Sequence, residues 1–265
     1  MTTTQKRTRW RTVALPTEHG GWGIALAPVV LGLLVVPSLT GVCLGLIVLV
    51  SFLARTPLKI VWKDVRNGRR YARTQAAVNV LLLYTGLIIF GGIGAMLLGG
   101  IQPILPLLLA SPLIAIQLYY DFFFNGRHLL PELVGPVAVA SVVCGMALAV
   151  GWTWPQALAL WAIPVLRILP SILFVRSRIK LDRNKPVSVI PVHLAHVVAL
   201  TIGLILAWFG LIPYLTTLAY FILLLWALYG LSSYRRPMAI KTIGWSEMGF
   251  SLMTVMFTAI GYWLW

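Results

Sequence analysis

Acidic side chains are scarce in this sequence. Among 265 residues there are six, Glu18, Asp64, Asp121, Glu132, Asp182 and Glu247, against 21 Lys and Arg. So few carboxylates exclude an acidic metal cage built in the manner of a calcium-binding loop. Cysteine is nearly missing too. Cys43 and Cys144 both fall within apolar runs, which excludes a disulfide framework and a cysteine metal site. Charged residues of either sign make up 10% of the chain, whereas soluble domains carry about a quarter. No phosphate-binding loop, dinucleotide fingerprint or HExxH occurs, and Ser, His and Asp show no hydrolase spacing.

Hydrophobic residues are abundant instead, at 60% of the chain with a mean hydropathy of +0.92. The composition is that of an all-helical integral membrane protein. Stretches long enough to cross about 30 Å of hydrocarbon are expected near 22–38, 41–62, 75–98, 101–120, 132–152, 156–178, 189–210, 212–232 and 243–264. Residues 1–21, MTTTQKRTRWRTVALPTEHGG, read as a basic cytoplasmic segment without the apolar core of a signal peptide. Residues 22–265 read as one polytopic domain. The connections near 38–41, 98–102, 152–155 and 210–213 carry no charge, whereas those near 63–74, 121–131, 176–188 and 233–242 are basic. The positive-inside rule then places the N-terminus in the cytoplasm and the C-terminus outside. The formal charge of +15 flanks hydrophobic spans. The lipid bilayer and anionic headgroups are therefore the expected partners, rather than nucleic acid.

An internal repeat organises the polar residues. AlaProValValLeuGly at 27–32 returns as AlaSerValValCysGly at 140–145. RTPLKIVWKDVR, 55–66, aligns with RILPSILFVRSR, 167–178. Arg55, Lys59, Trp62 and Arg66 then answer to Arg167, Ser171, Phe174 and Arg178. Each set runs i, i+4, i+7, i+11, one face of a helix. Glu18, Glu132 and Glu247 are expected at the starts of spans one, five and nine, either because the helix dipole favours a carboxylate there or to neutralise the arginine stripes. The repeat halves cover about 18–127 and 132–236, with the final helix over 243–264. Four spans per half make the halves parallel, so Arg55 and Arg167 are expected to face one central cavity. Arginine near the middle of a span costs about 2.5–3.5 kcal/mol, so such residues pair or function. Arg55, Lys59, Arg66, Arg167, Ser171 and Arg178 are the candidate ligand-binding set.

The runs PTEHGGWGIALAPVVLG, FLARTPLKIVWKDVRNGRRYARTQAA, YYDFFFNGRHLLPELVG and RILPSILFVRSRIKL resemble the YwiC-like family of bacterial membrane proteins. That resemblance implies the bacterial cytoplasmic membrane. More distantly, the chain is similar to the UbiA superfamily of intramembrane prenyltransferases. This likeness implies nine helices in a 4+4+1 arrangement, with functional motifs at the cytoplasmic ends of helices two and six. UbiA enzymes hold Mg²⁺ and diphosphate with clustered aspartates. Here helix two keeps only Asp64, and helix six offers Arg176 and Arg178 before Asp182. Mg²⁺ is expected only if UbiA-like chemistry is retained; otherwise no cofactor is expected, and arginines grip the anion directly.

Supporting roles fall to Glu18, His19, Asp64, Asp121, Arg127, Glu132, His193 and Glu247. Asp121 and Arg127 read as a cytoplasmic turn closed by one salt bridge. His193 and His196, one turn apart, read as interhelical hydrogen-bonding groups rather than metal or haem ligands. Three functions follow: a lipid-directed transferase, a carrier of an anionic solute, and a non-catalytic lipid-binding protein. The common element is an anionic, isoprenoid-type or other lipid ligand in a cavity facing the cytoplasm.

Overall fold

Apolar residues fill long helical runs because hydrocarbon offers the backbone no hydrogen-bond partner, so each span must satisfy its own amides. In the computed structural model, residues 13–15, 19–68, 71–124 and 128–265 are described, and among them there is no strand. The helices are α1 (His19–Val35), α2 (Leu39–Arg66), α3 (Ala72–Gly99), α4 (Leu105–Leu109), α5 (Ser111–Phe123) and α6 (Leu129–Ala149). They continue with α7 (Trp154–Asp182), α8 (Ile190–Trp208), α9 (Tyr214–Leu231) and α10 (Ile240–Trp263). Eight helical segments of the described residues are long and apolar enough to cross a membrane.

The departures from expectation have local causes. The first span is the short one: α1 has 17 residues, about 25 Å of helix, and ends before Pro37. Span four is divided into a 3₁₀ turn (Gln102–Ile104), α4 and α5. Pro103, Pro106 and Pro112 each fall at the start of one of these pieces, where a missing N–H does no harm. On the basic side α2 and α7 run to Arg66 and Asp182, beyond the expected ends at 62 and 178. Their charged last turns remain helical because they are held by neighbours. On the other side, Ser38 caps α2 by accepting from the Gly41 N–H at 2.9 Å.

Helix α6 is the central element, buried over most of its length and packed on α1, α2, α5 and α7. Neighbours recur at a four-span interval. α1 packs on α2 as α6 does on α7, and α2 on α3 as α7 on α8. Likewise α5 meets α6 as α9 meets α10, and α2 meets α5 as α7 meets α9. Gly145 on α6 explains one close approach. A Cβ there would strike the Pro103 carbonyl and stand 3.2 Å from Leu44.

Charge and aromatic residues divide the molecule. Trp263 donates its indole N–H to the Leu34 carbonyl at 3.0 Å, and Tyr262 stacks loosely with Trp152 and Trp265. These join the uncharged ends of α1, α6 and α10. Every described acid lies toward the opposite, basic end.

Candidate functional site

Arg55 and Lys59 sit one turn apart on α2, so their side chains leave from one face. That face meets the end of α5. Arg55 donates from Nε to Asp121 Oδ2 and from Nη2 to Oδ1, the latter at 2.8 Å. Lys59 Nζ lies 2.8 Å from the same Oδ1. The Arg55 fork is the bidentate geometry that a carboxylate or phosphate matches. Asp121 is 10% exposed while Arg55 and Lys59 are 30% and 38% exposed. One turn further on, Trp62 stacks on Phe122 with centroids 4.7 Å apart. Arg66 then lies over the Phe123 ring at 5.6 Å. The whole stripe of α2 thus docks on residues 121–123 of α5.

Asp64 leaves from another face of α2. It is buried and accepts from Arg73 Nη2 at 2.7 Å and from Thr74 Oγ1 at 2.7 Å. Both donors belong to the first turn of α3. Asp64 therefore pins the α2–α3 connection.

The matching stripe on α7 is more deeply enclosed. Arg167 donates from Nη2 to Glu247 Oε2 at 3.1 Å and to the Glu247 main-chain carbonyl. Ser171 donates its hydroxyl to the same Oε2. Phe174 packs toward Trp226, with its ring edge 2.8 Å from where a Gly230 Cβ would stand. Arg178 donates to Asp182 Oδ2 at 2.9 Å and to the carbonyls of Gly230 and Arg236. The last carbonyls of a helix have no partner within it. Arg178 supplies one for α9 and ties the following loop to α7. Asp182 also accepts from the Met238 N–H at 3.4 Å and lies 3.5 Å from Arg235.

One sequence expectation requires correction. Glu247 does not begin its helix: α10 starts at Ile240, two turns earlier. The helix dipole therefore does not account for this carboxylate, which serves as the partner of Arg167 and Ser171. Asp121 turns its carboxylate to Arg55 and Lys59 on α2, and its expected bridge to Arg127 involves a residue that is not described. Arg127 and Glu18 lie outside the described residues, as does the His19 side chain. Glu132 does stand in the first turn of α6, and Arg176 lies 2.5 Å from it. His196 places Nδ1 2.9 Å from the Val192 carbonyl, a contact within α8. Nε2 of His193 is buried without a partner.

The structure thus brings Arg55 and Lys59 together on Asp121, and Arg167 and Ser171 together on Glu247. It does not bring the two sets onto one carboxylate. Sequence reasoning missed the partner of the first stripe, because α2 and α5 are joined by no spacing rule. The available signal was arithmetical: with six acids, each one near a stripe was a candidate. It also treated Arg73 as an ordinary loop cation, although Arg73 holds Asp64.

The donor set does not fit a Mg²⁺ ion. Among the described residues no three His, Cys, Asp or Glu side chains converge. All five described carboxylates are held by arginine: Asp64 by Arg73, Asp121 by Arg55, Glu132 by Arg176, Asp182 by Arg178 and Glu247 by Arg167.

No curated protein and no solved structure matches the chain. A family model described as YwiC-like protein matches residues 15–145. That segment contains EHGGW, the α2 stripe and its partner Asp121, and over it the chain is similar to that family.

Proposed function

We propose that the protein binds the phosphate or carboxylate headgroup of an anionic amphiphile at the junction of α2 and α5, on the cytoplasmic side of the bilayer. One observation carries this reading. Arg55 and Lys59 both reach the Asp121 carboxylate, with Arg66 two turns beyond Lys59 on the same face. Lys59 and Arg66 add positive charge beside the Arg55–Asp121 pair, and a ligand anion complements that charge. A charge-assisted hydrogen bond contributes about 1.5–3 kcal/mol. Tyr119 and Phe123, both exposed, offer apolar surface for the chain that follows the headgroup. Arg167, Ser171 and Arg178 stand in the second half as matching positions, and their partners are internal. Their part in this reading is to hold α7, α9 and α10 in place.

The recurring helix neighbours support a 4+4+1 plan in which spans one to four repeat as five to eight. The basic ends of α2, α3, α7 and α9 support a cytoplasmic N-terminus. A prenyltransferase of the UbiA kind would need oxygen ligands for Mg²⁺ beyond carboxylates that arginines already hold, so the binding reading has the stronger support.

Titration of the purified protein in nanodiscs with dodecyl phosphate and with dodecanol tests the proposal. Dodecyl phosphate should bind, and Arg55→Ala with Lys59→Ala should weaken it about tenfold or more. Equal binding of the phosphate and the alcohol would refute it.

A further inference from the structure

Chain that precedes the first span sits against the middle of α2 and α3. These helices have 28 residues each, about 42 Å of helix. Tyr84 lies about 18 Å along α3 from Ala72, and Val50 about 24 Å along α2 from Arg66. Both are therefore far from the charged ends. Tyr84 donates its hydroxyl to the Ala14 main-chain carbonyl at 3.0 Å. Ala14 packs against Val50, Val80 and Tyr84, and Val13 is 3% exposed. Leu15, by contrast, is 41% exposed.

Helix α1 starts at the same level. Trp22 meets Phe52, at the middle of α2, with ring centroids 5.5 Å apart, and a Cβ on Gly21 would stand 3.1 Å from the same ring. From there α1 runs to the uncharged end, where the Leu34 carbonyl accepts from Trp263. Residues 13–15 are thus already at the depth where α1 begins. Polarity explains what keeps them there. Val13 and Ala14 are helical and the helix ends after them, so the Ala14 carbonyl has no partner within it. A phenol hydroxyl in the middle of a span has no water to meet. Each group satisfies the other. We propose that residues 13–15 form a strap embedded in the membrane, seated on α2 and α3 and fastened by Tyr84, and not a stretch of cytoplasmic tail. Val13 and Ala14 are its inner face and Leu15 its lipid face. The strap ties the α2–α3 pair to the chain that leads into α1.

Spin labels read the depth, with Cys43→Ala and Cys144→Ala as background and the full chain in nanodiscs, whose two faces are both open to water. Labels are placed on Leu15→Cys, on Leu83→Cys at an exposed position beside Tyr84, and on Lys185→Cys between α7 and α8. A nickel chelate stays in water and does not enter hydrocarbon. Collisions with it should be lost at 15 as they are at 83, and retained at 185. Alkylation of Val13→Cys by a charged maleimide reads the fastening, since the thiol meets reagent only while the strap is off its seat. Tyr84→Phe keeps the ring and removes the donor. It should speed that alkylation about fivefold, the change in equilibrium for one hydrogen bond, while the protein still melts cooperatively. Nickel access at 15 equal to that at 185 overturns the embedding, and an unchanged alkylation rate in Tyr84→Phe overturns the fastening.

Discussion

Arg167 on α7 and Glu247 on α10 form an ion pair in which Nη2 lies 3.1 Å from Oε2, with the side chains 7% and 12% exposed. Ser171 adds its hydroxyl to the same carboxylate. The pair joins helices that adjoin only at the end of the chain's path. Its energetic meaning lies in what happens when one partner is missing, since a buried charge without its counter-ion is far costlier than the intact pair is favourable.

Arg167→Met should therefore destabilise the protein by about 3 kcal/mol or more, and Glu247→Met by a similar amount. The double variant should recover most of the loss, because two apolar side chains replace two charges together. Denaturant titration in detergent, followed by tryptophan fluorescence, measures all three. Losses that simply add in the double variant would show that the two side chains do not act as a pair.

At α2 the prediction has the opposite sign. Asp121 occupies Arg55 and Lys59 in the way a ligand anion would. Asp121→Asn should release that competition and strengthen dodecyl phosphate binding, by about tenfold for one charge-assisted contact. Isothermal titration in nanodiscs reads the change. Weaker binding by Asp121→Asn would mean that the carboxylate orients the cations instead of competing for them.

Much of this architecture was legible in the residues, and the exceptions share a cause. Hydropathy marked the long helices because each must hold a continuous apolar run to face lipid. The two stripes were legible because i, i+4, i+7 and i+11 lie on one helical face whatever the tertiary structure. What the stripes face was legible only in part: Glu247 was a candidate to neutralise them, and it meets Arg167, whereas Arg55 meets Asp121 across helix packing that leaves no local spacing. The place of Glu247 in its helix misled for a related reason. Apolar content rises sharply only after it, yet α10 begins at Ile240, since Lys241 and Ser246 are tolerated in helical turns near the basic end. The divided fourth span was written in Pro103, Pro106 and Pro112, whose effect a hydropathy average conceals.

Gly145 gives a packing prediction with an internal control. A Cβ at this position meets the main-chain carbonyl of Pro103, which a rotamer change cannot move aside. Gly145→Ala should destabilise the protein by about 1–3 kcal/mol, the usual cost of overpacking. At Gly249, on α10, a Cβ meets nothing within 4 Å. Gly249→Ala should be neutral or stabilising by up to about 1 kcal/mol through helix propensity. Thermal melts of both variants beside the wild type decide the matter, and equal behaviour would remove the close contact from the account.

Orientation in the membrane can be tested directly. Arg66, Arg73, Arg176, Arg178, Arg183, Arg235 and Arg236 gather at one end of the helices, whereas residues 35–39, 99–102, 150–154 and 209–214 contain no charge. Lysine and arginine in short loops are retained in the cytoplasm during insertion, so the basic end is expected to be the inner one. If α1 is the first crossing and α10 the last, Trp265 comes to the outer face. A reporter active only in the cytoplasm should be silent when fused after Trp265 and active when fused within 183–188. Replacing Arg235, Arg236 and Lys241 with Gln should raise the signal at the C-terminus if those cations hold the last connection inside. A strong cytoplasmic signal from the unaltered C-terminal fusion would reverse the orientation, and with it the assignment of the α2–α5 cluster to the inner leaflet.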